Sequence, residues 1–150
     1  MDADRFISLL NPILIPILHS PLHFLASGGL MTLRYQGRKS GRTITIPVGY
    51  QRWDDRIDIL VSKAPRKQWW RNFETPAMVD LRVRGEQLQG KASLVSTGDR
   101  AFRQAFEYTF NRLPFLPSQF DIKDYDRSLG LSEAQLATLQ QHGRLVSVEL

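Results

Sequence analysis

The sequence predicts an α+β fold in which about six short strands form a small antiparallel barrel with helices packed against it. Apolar residues alternate with period two through the middle of the chain, turn residues join the strands into hairpins, and helical spacing dominates after Gly98. Strands and helices do not alternate as a parallel sheet would require. The chain has 150 residues, the size of one domain, so residues 1–150 are expected to form a single domain.

The strands can be placed individually. Residues 30–35 form the first strand, and residues 44–62 form a hairpin that turns at 53–56. Pro47 falls inside this hairpin, so we expect it at an edge position or a bulge. Residues 78–84 and 88–97 form a second hairpin around Gly85 and Glu86, and residues 145–148 form the closing strand.

The sequence also predicts three helical segments after the first hairpin. A short helix is predicted over 66–74, before Pro76. A second helix carries apolar residues at helical spacing (Ala101, Phe102, Ala105, Phe106 and Phe110). A third covers 132–141, with Ser132 as its N-cap and Gly143 as its stop.

The N-terminal segment is apolar and lacks charge between residues 6 and 30. We expect a helix over 4–19, kinked by its prolines, within a hydrophobic segment that covers 1–28. Packing on the domain core is the first interpretation, peripheral membrane contact through residues 4–28 the second, and a membrane span the third. His19 and His23 have helical ligand spacing, but Pro21 lies between them, so no metal site is expected.

Composition excludes several classes of site. Cysteine is absent, which excludes disulfides, thiolate nucleophiles and Cys-ligated metals. The net charge of +5 is unevenly distributed. Residues 34–71 carry ten basic and three acidic residues, so this segment is +7 and the remainder −2. A localised excess of this kind indicates an anionic partner.

The first motif is a glycine-bracketed basic loop at residues 37–42. Its members are Gly37, Arg38, Lys39, Ser40, Gly41 and Arg42. Glycines permit close backbone approach, and the arginine fork and the lysine charge suit phosphate or carboxylate. The spacing is not that of a Walker A loop. A solvated basic hairpin loop is the alternative interpretation.

The second motif, at residues 62–73, mixes basic and aromatic residues. Trp69 and Phe73 share one helical face, whereas Trp70 points elsewhere. A basic surface with tryptophans suits a flat anionic ligand or stacked bases. The alternative is that Trp69 and Phe73 anchor the segment to the barrel.

Together the two motifs resemble the deazaflavin-dependent nitroreductase and quinone reductase family. The matching positions run from Leu33 to about Ala92. They are Gly37-Arg38-Lys39-Ser40-Gly41, Thr45-x-Pro47, Ser62-Lys63, Trp69-Trp70-x-Asn72 and a strand ending in basic residues and Gly85.

The resemblance implies a split β-barrel of the flavin-binding type and an 8-hydroxy-5-deazaflavin cofactor of the F-420 type, with FMN as second choice. It implies hydride transfer to a quinone, nitro compound or similar small organic acceptor. It also favours a homodimer, and we expect a cytoplasmic protein, at most peripheral to the inner face of the membrane.

The resemblance also implies roles for individual residues. Arg38, Lys39 and Arg42, in the loop with Ser40 and Gly41, would hold the phosphate and acidic tail of the cofactor. Pro47 and Val48 would supply backbone beside the ring system, Ser62 and Lys63 would lie near the cofactor, and Trp69 and Trp70 would wall it. No catalytic residue is identified; Tyr50 and Tyr125 are candidates for proton supply.

Two other classes of function stay open at this point. One is a non-catalytic protein that carries a flavin, haem or lipid-like ligand on the same barrel. The other is nucleic-acid binding through the basic segment, which we do not favour because no known nucleic-acid-binding module is present.

Overall fold

The computed structural model describes residues 29–150, which form a closed six-stranded antiparallel barrel with a helical layer on one side. The strand order around the barrel is β1-β2-β3-β6-β5-β4. The strands are β1 (Leu30–Gln36), β2 (Thr43–Arg52), β3 (Arg56–Val61), β4 (Ala77–Val83), β5 (Glu86–Val95) and β6 (Arg144–Glu149). The helices are α1 (Arg100–Arg112) and α2 (Glu133–His142), with 3-10 turns at Ala64–Arg66, Trp69–Phe73 and Pro117–Phe120. This architecture confirms the predicted α+β barrel. The helix predicted over 4–19, the histidine pair and the membrane-facing segment lie outside the described residues.

Both predicted hairpins are present. β2 and β3 turn between Arg52 and Arg56, as expected. In the second hairpin Val83 pairs with Glu86, so the two-residue loop is Arg84-Gly85, one position earlier than predicted. Both loop residues have positive φ, 51° and 82°, which is the type I′ geometry that matches strand twist.

The barrel is closed, but the pairing between β2 and β3 is incomplete and leaves an opening between these two strands. The ladder between these strands joins only Tyr50–Arg52 to Ile57–Ile59, whereas the β1–β2 ladder runs from the Leu30–Gly49 pair to the Gln36–Thr43 pair. Residues 43–49 therefore have a strand neighbour on the β1 side alone. Pro47 pairs with Thr32 of β1 in this stretch, which meets the expectation of a local edge position.

The direction of the backbone groups along this edge follows from one hydrogen bond. The Tyr50 N–H donates to the Gly29 carbonyl at 3.3 Å. The backbone N–H and C=O groups of successive residues in a strand point to opposite sides. In β2 the backbone groups of even-numbered residues therefore bond to β1, and those of odd-numbered residues point away from β1. The backbone of Pro47 and Gly49 therefore faces the opening. The missing N–H of Pro47 leaves no unpaired donor there.

Two apolar clusters hold the fold together. The barrel core buries side chains from every strand, including Leu33, Ile57 and Leu81. The second cluster lies under the helical layer, where Phe102, Phe106 and Phe110 of α1 pack with Phe120, Leu139 and Leu145. Asp99 caps α1 by accepting from the Ala101 N–H, and Ser132 and Gln135 form a capping box on α2, as the Ser132 prediction required.

The helix predicted over 66–74 is wrong. The chain makes two 3-10 turns instead, and Lys67 between them is extended, with φ −116° and ψ 149°. Lys63, before the first turn, is left-handed at φ 50°. The extended Lys67 lies outside the helical region of φ and ψ, so residues 66–74 cannot form one continuous helix.

No helix among residues 29–150 is long and apolar enough to cross a membrane.

Candidate functional site

Two adjoining grooves lie along the second strand. The first, here called the cationic groove, has a volume of about 390 Å³, and the second, the split groove, about 340 Å³. Both fall in the range typical of small-molecule sites. Ile46, Lys67 and Trp69 line both, so the two grooves form one continuous surface.

The basic loop forms one side of the cationic groove. Its backbone closes on itself: the Gly37 N–H donates to the Arg42 carbonyl and the Gly41 N–H to the Gly37 carbonyl, each at 2.8 Å. Gly41 has φ 68°, which glycine adopts without strain. The Ser40 hydroxyl accepts from the Arg42 N–H at 3.2 Å. This loop presents Arg38, Lys39 and Ser40 to the groove.

Asn72 ties the loop to the opposite wall. Its Oδ1 accepts from the Arg38 N–H at 2.6 Å, and its Nδ2 donates to the Trp69 carbonyl at 2.7 Å. The Arg38 guanidinium also donates to the Gln68 carbonyl at 3.5 Å. Residues from both sequence motifs are thus held across a single groove.

The lining that residues 29–150 give the cationic groove is positively charged. Arg38, Lys39, Arg66 and Lys67 line it, and no acidic residue does. Within residues 29–150, none of these four forms an ion pair. Burial lowers the pKa of Lys67, and the nearby Lys63 ammonium lowers that pKa further. Such a concentration of unpaired cations is typical of an anion site.

Tyr35 forms part of the floor of this groove. Its ring is buried and meets Phe73 edge-on, with ring centroids 5.5 Å apart. Burial raises the pKa of the Tyr35 phenol to about 12, against a smaller lowering by Arg38. The phenol therefore stays neutral at physiological pH.

The split groove occupies the opening between β2 and β3. Its walls are mainly apolar, with Pro47 and Val48 on one side and Ile59 and Val61 on the other. The helical layer closes it through Thr109 of α1 and the 3-10 turn that holds Phe120. The backbone of Pro47 and Gly49 faces this opening, so it can contact a ligand directly. A flat apolar ligand suits this geometry.

The grooves bring together seven of the eleven predicted binding residues, and also the candidate Tyr50. These are Arg38, Lys39, Ser40, Pro47, Val48, Ser62 and Trp69. Gly41, Arg42, Lys63 and Trp70 line neither groove. Gly41 and Arg42 belong to the loop that carries the lining residues, and Lys63 follows Ser62 at the end of β3.

Trp70 does not wall the site, because its indole is turned into the fold. It is 5% exposed, its Nε1–H donates to the Ala64 carbonyl at 2.9 Å, and the Arg71 and Arg144 guanidinium groups lie over its ring. The prediction that Trp70 points away from Trp69 and Phe73 agrees with this placement.

Tyr125 lies away from both grooves. Its hydroxyl donates to Asn111 Oδ1 at 2.7 Å, and its ring packs on Phe110 in the helical layer. Burial and the nearby Glu107 carboxylate raise its pKa. The structure therefore does not bring this candidate proton source to the site.

Several lining residues were missed by sequence reasoning. They are Tyr35, Arg66, Lys67, Gln68 and Asn72 in the cationic groove, and Leu116, Gln119 and Phe120 in the split groove. Asn72 stood inside the second motif, and Arg66 and Lys67 were counted in the basic segment. Leu116, Gln119 and Phe120 reach the split groove through packing of the helical layer.

Comparisons with known proteins identify the family. The family model of F420H(2)-dependent quinone reductase matches residues 23–111, which include both motifs. The chain belongs to this family. It is therefore a deazaflavin-dependent oxidoreductase with F420 as its cofactor, which confirms the sequence prediction; FMN remains the second choice. A search of curated proteins gives no significant match.

Solved structures confirm the split-barrel fold of this quinone reductase family member. An F420-H2 dependent reductase, FDR-A, is 13% identical with a TM-score of 0.56, covering 81% of this chain and 94% of its own. A structure described as a domain-swapped dimer is 12% identical with a TM-score of 0.56, covering 89% and 96%. HutZ, the haem storage protein of Vibrio cholerae, is 16% identical with a TM-score of 0.51, covering 84% of each chain.

The residues present fit the cofactor of the family. A polyanionic tail needs unpaired cations, which the cationic groove supplies without a competing carboxylate. A flat ring needs an apolar slot with accessible backbone, which the opening between β2 and β3 supplies. The two surfaces are continuous through Trp69 and Lys67.

Proposed function

We propose that this chain reduces quinones with the reduced deazaflavin, holding the acidic tail in the cationic groove and the ring system and acceptor in the split groove. The continuity of the two grooves at Ile46, Lys67 and Trp69 supports this assignment. A carrier of an uncharged ligand would not need four cations that are unpaired within residues 29–150 beside an apolar slot.

The tail would be held by Arg38 and Lys39 from the loop and by Arg66 from the opposite wall. An arginine fork binds phosphate or carboxylate in bidentate fashion, and a lysine adds a mobile point charge. Asn72 and the backbone bonds of residues 37–42 hold the loop in position before binding. Such preorganisation lowers the entropic cost of binding.

The ring system would lie against Trp69 and the backbone of Pro47 and Gly49. When bound, the reduced cofactor supplies the hydride. The chain's own part is to hold the acceptor close to it, and Leu116 and Phe120 exclude water from that side of the groove. Ser62 and Tyr50 offer hydroxyl groups at the margin of the same groove.

A titration followed by a turnover assay tests this function. The purified protein is titrated with the deazaflavin, FMN and haem by fluorescence or absorbance, and the reduced deazaflavin complex is then offered menadione. We expect tightest binding of the deazaflavin and reduction of the quinone. Tight binding without turnover would leave a carrier, and binding to none of the three would overturn the assignment.

Lys39→Ala tests the tail site separately. Loss of one charge-assisted contact should weaken deazaflavin affinity about tenfold, and the salt dependence of binding should fall with it. Lys91→Ala, on the exposed outer face of β5, is the matched control and should leave affinity unchanged. Unchanged affinity in Lys39→Ala would contradict the proposed tail site.

We also propose a homodimer in the cytoplasm, with residues 4–28 making peripheral contact with the inner face of the membrane. An apolar acceptor such as a quinone would favour that contact. Light scattering after size-exclusion chromatography tests the dimer. Sedimentation with anionic liposomes, with and without residues 1–28, tests the membrane contact.

A further inference from the structure

Lys67 holds a distinctive position at the junction of the two grooves. Of the three residues that line both, Ile46, Lys67 and Trp69, Lys67 alone carries an ionisable side chain. The chain positions it between two 3-10 turns, and its backbone N–H donates to the Ala64 carbonyl at 3.0 Å. A group at this junction can reach both the tail side and the acceptor side of the site.

The surroundings of Lys67 favour loss of its proton. Its side chain is half-buried, and no carboxylate pairs with it within residues 29–150. The charged and titratable groups around it are cationic or phenolic. They are Lys63 beside it, Arg38, Lys39, Arg66 and Tyr35 in the cationic groove, and Tyr50 in the split groove. Burial and the Lys63 charge lower the pKa of Lys67, so it is a stronger acid than an exposed lysine.

Two other hydroxyl groups of the grooves, those of Tyr35 and Thr109, are less suited to giving up a proton. Tyr35 lines only the cationic groove, and its pKa near 12 makes it a weaker acid. The Thr109 hydroxyl already donates to the Ala105 carbonyl at 2.8 Å. Histidine, aspartate and glutamate are absent from the linings that the described residues form.

We propose that Lys67 is a catalytic residue that donates a proton from Nζ to the acceptor during reduction; this rests on the proposed function. A quinone that takes up a hydride from the reduced deazaflavin gains two electrons and one hydrogen and becomes a hydroquinone monoanion. The Lys67 N–H bond then breaks as an O–H bond forms on the oxyanion. The product is a neutral hydroquinone, and the neutral amine regains its proton from water. Before transfer, the ammonium also stabilises the developing negative charge.

Lys67→Arg and Lys67→Gln separate proton donation from charge. The arginine keeps the cation but holds its proton, whereas the glutamine removes both. General acid catalysis contributes about 100-fold or more, so we expect kcat with menadione to fall about 100-fold in both variants. Deazaflavin affinity should stay within about threefold of wild type in Lys67→Arg. Wild-type kcat should fall as pH rises through the pKa of Lys67, and this limb should vanish in Lys67→Arg.

A second readout does not depend on turnover. In the cofactor-free protein with ¹³C-labelled lysines, the Cε signal absent from Lys67→Arg identifies Lys67, and its titration should show a pKa below the 10.5 of an ordinary lysine. Circular dichroism checks that each variant folds. Full kcat and an unchanged pH profile in Lys67→Arg would overturn this role while leaving the proposed function intact. Absence of wild-type turnover would overturn both.

Discussion

Arg38 and Asn72 lie 34 positions apart in the chain, yet the Arg38 N–H donates to Asn72 Oδ1 at 2.6 Å. The side-chain amide of Asn72 also donates, through Nδ2, to the Trp69 carbonyl. One side chain therefore fixes the distance between the basic loop and the tryptophan turn, which are the two walls of the cationic groove.

Asn72→Ala should release the basic loop from the opposite wall. Both hydrogen bonds are lost, and each contributes about 1 kcal/mol, so deazaflavin affinity should fall about tenfold or more. Fluorescence titration measures it. Gln140→Ala is the control, since its amide also donates to a main-chain carbonyl, that of Thr97, outside both grooves. Equal affinities for the two variants would contradict the bridging role.

Asp58 should contribute strongly to stability. It is 2% exposed and accepts from the Trp53 indole at 2.8 Å, from Ser147 at 3.0 Å and from Arg56. Asp58→Ala leaves these donors without their acceptor, so the free energy of unfolding should fall by about 3 kcal/mol or more. Urea denaturation measures it. Asp80→Ala, at an exposed position on β4, should change it by less than about 1 kcal/mol.

Gly90→Ala should destabilise the β5–β6 contact. A Cβ at this position would stand 2.6 Å from both the Glu149 carbonyl oxygen and Val148 Cγ1. Because one neighbour is backbone, we expect a loss of about 2 kcal/mol or more in thermal or urea unfolding. Gly98→Ala is the control, with its nearest atom at 4.0 Å. Similar stabilities for the two variants would contradict this close approach.

Tyr35 should make the free energy of unfolding depend on pH in the alkaline range. The pKa of Tyr35 is about 12 in the folded protein and about 10 in the unfolded chain. Its contribution to the free energy of unfolding is therefore fully present below pH 10. Between pH 10 and 12 the unfolded chain loses the proton first, and stability should fall by about 2 kcal/mol. Urea unfolding of wild type and Tyr35→Phe across this range measures the difference, and parallel curves would contradict it.

Local patterns were enough for much of the barrel. Period-two alternation placed β2 and β3, apolar runs between turn residues placed the other four strands, and the helical spacing of Phe102, Phe106 and Phe110 placed α1. Ser132 was predictable as a cap because its hydrogen bonds are local. The tryptophan segment was mispredicted as one helix, because the extended backbone of Lys67 separates two short 3-10 turns.

The sequence by itself determined the strand order in the chain, the two hairpins, the concentrated positive charge and the family of the protein. Each rests on residues close together in the chain or on their order. Only the tertiary structure decided which of those residues meet. It turned Trp70 into the fold and placed Lys67 at the junction of the grooves, because both depend on how the 3-10 turns pack against strands far away in sequence. It also made the split groove, whose far wall comes from a helical layer that no local motif connects to β2.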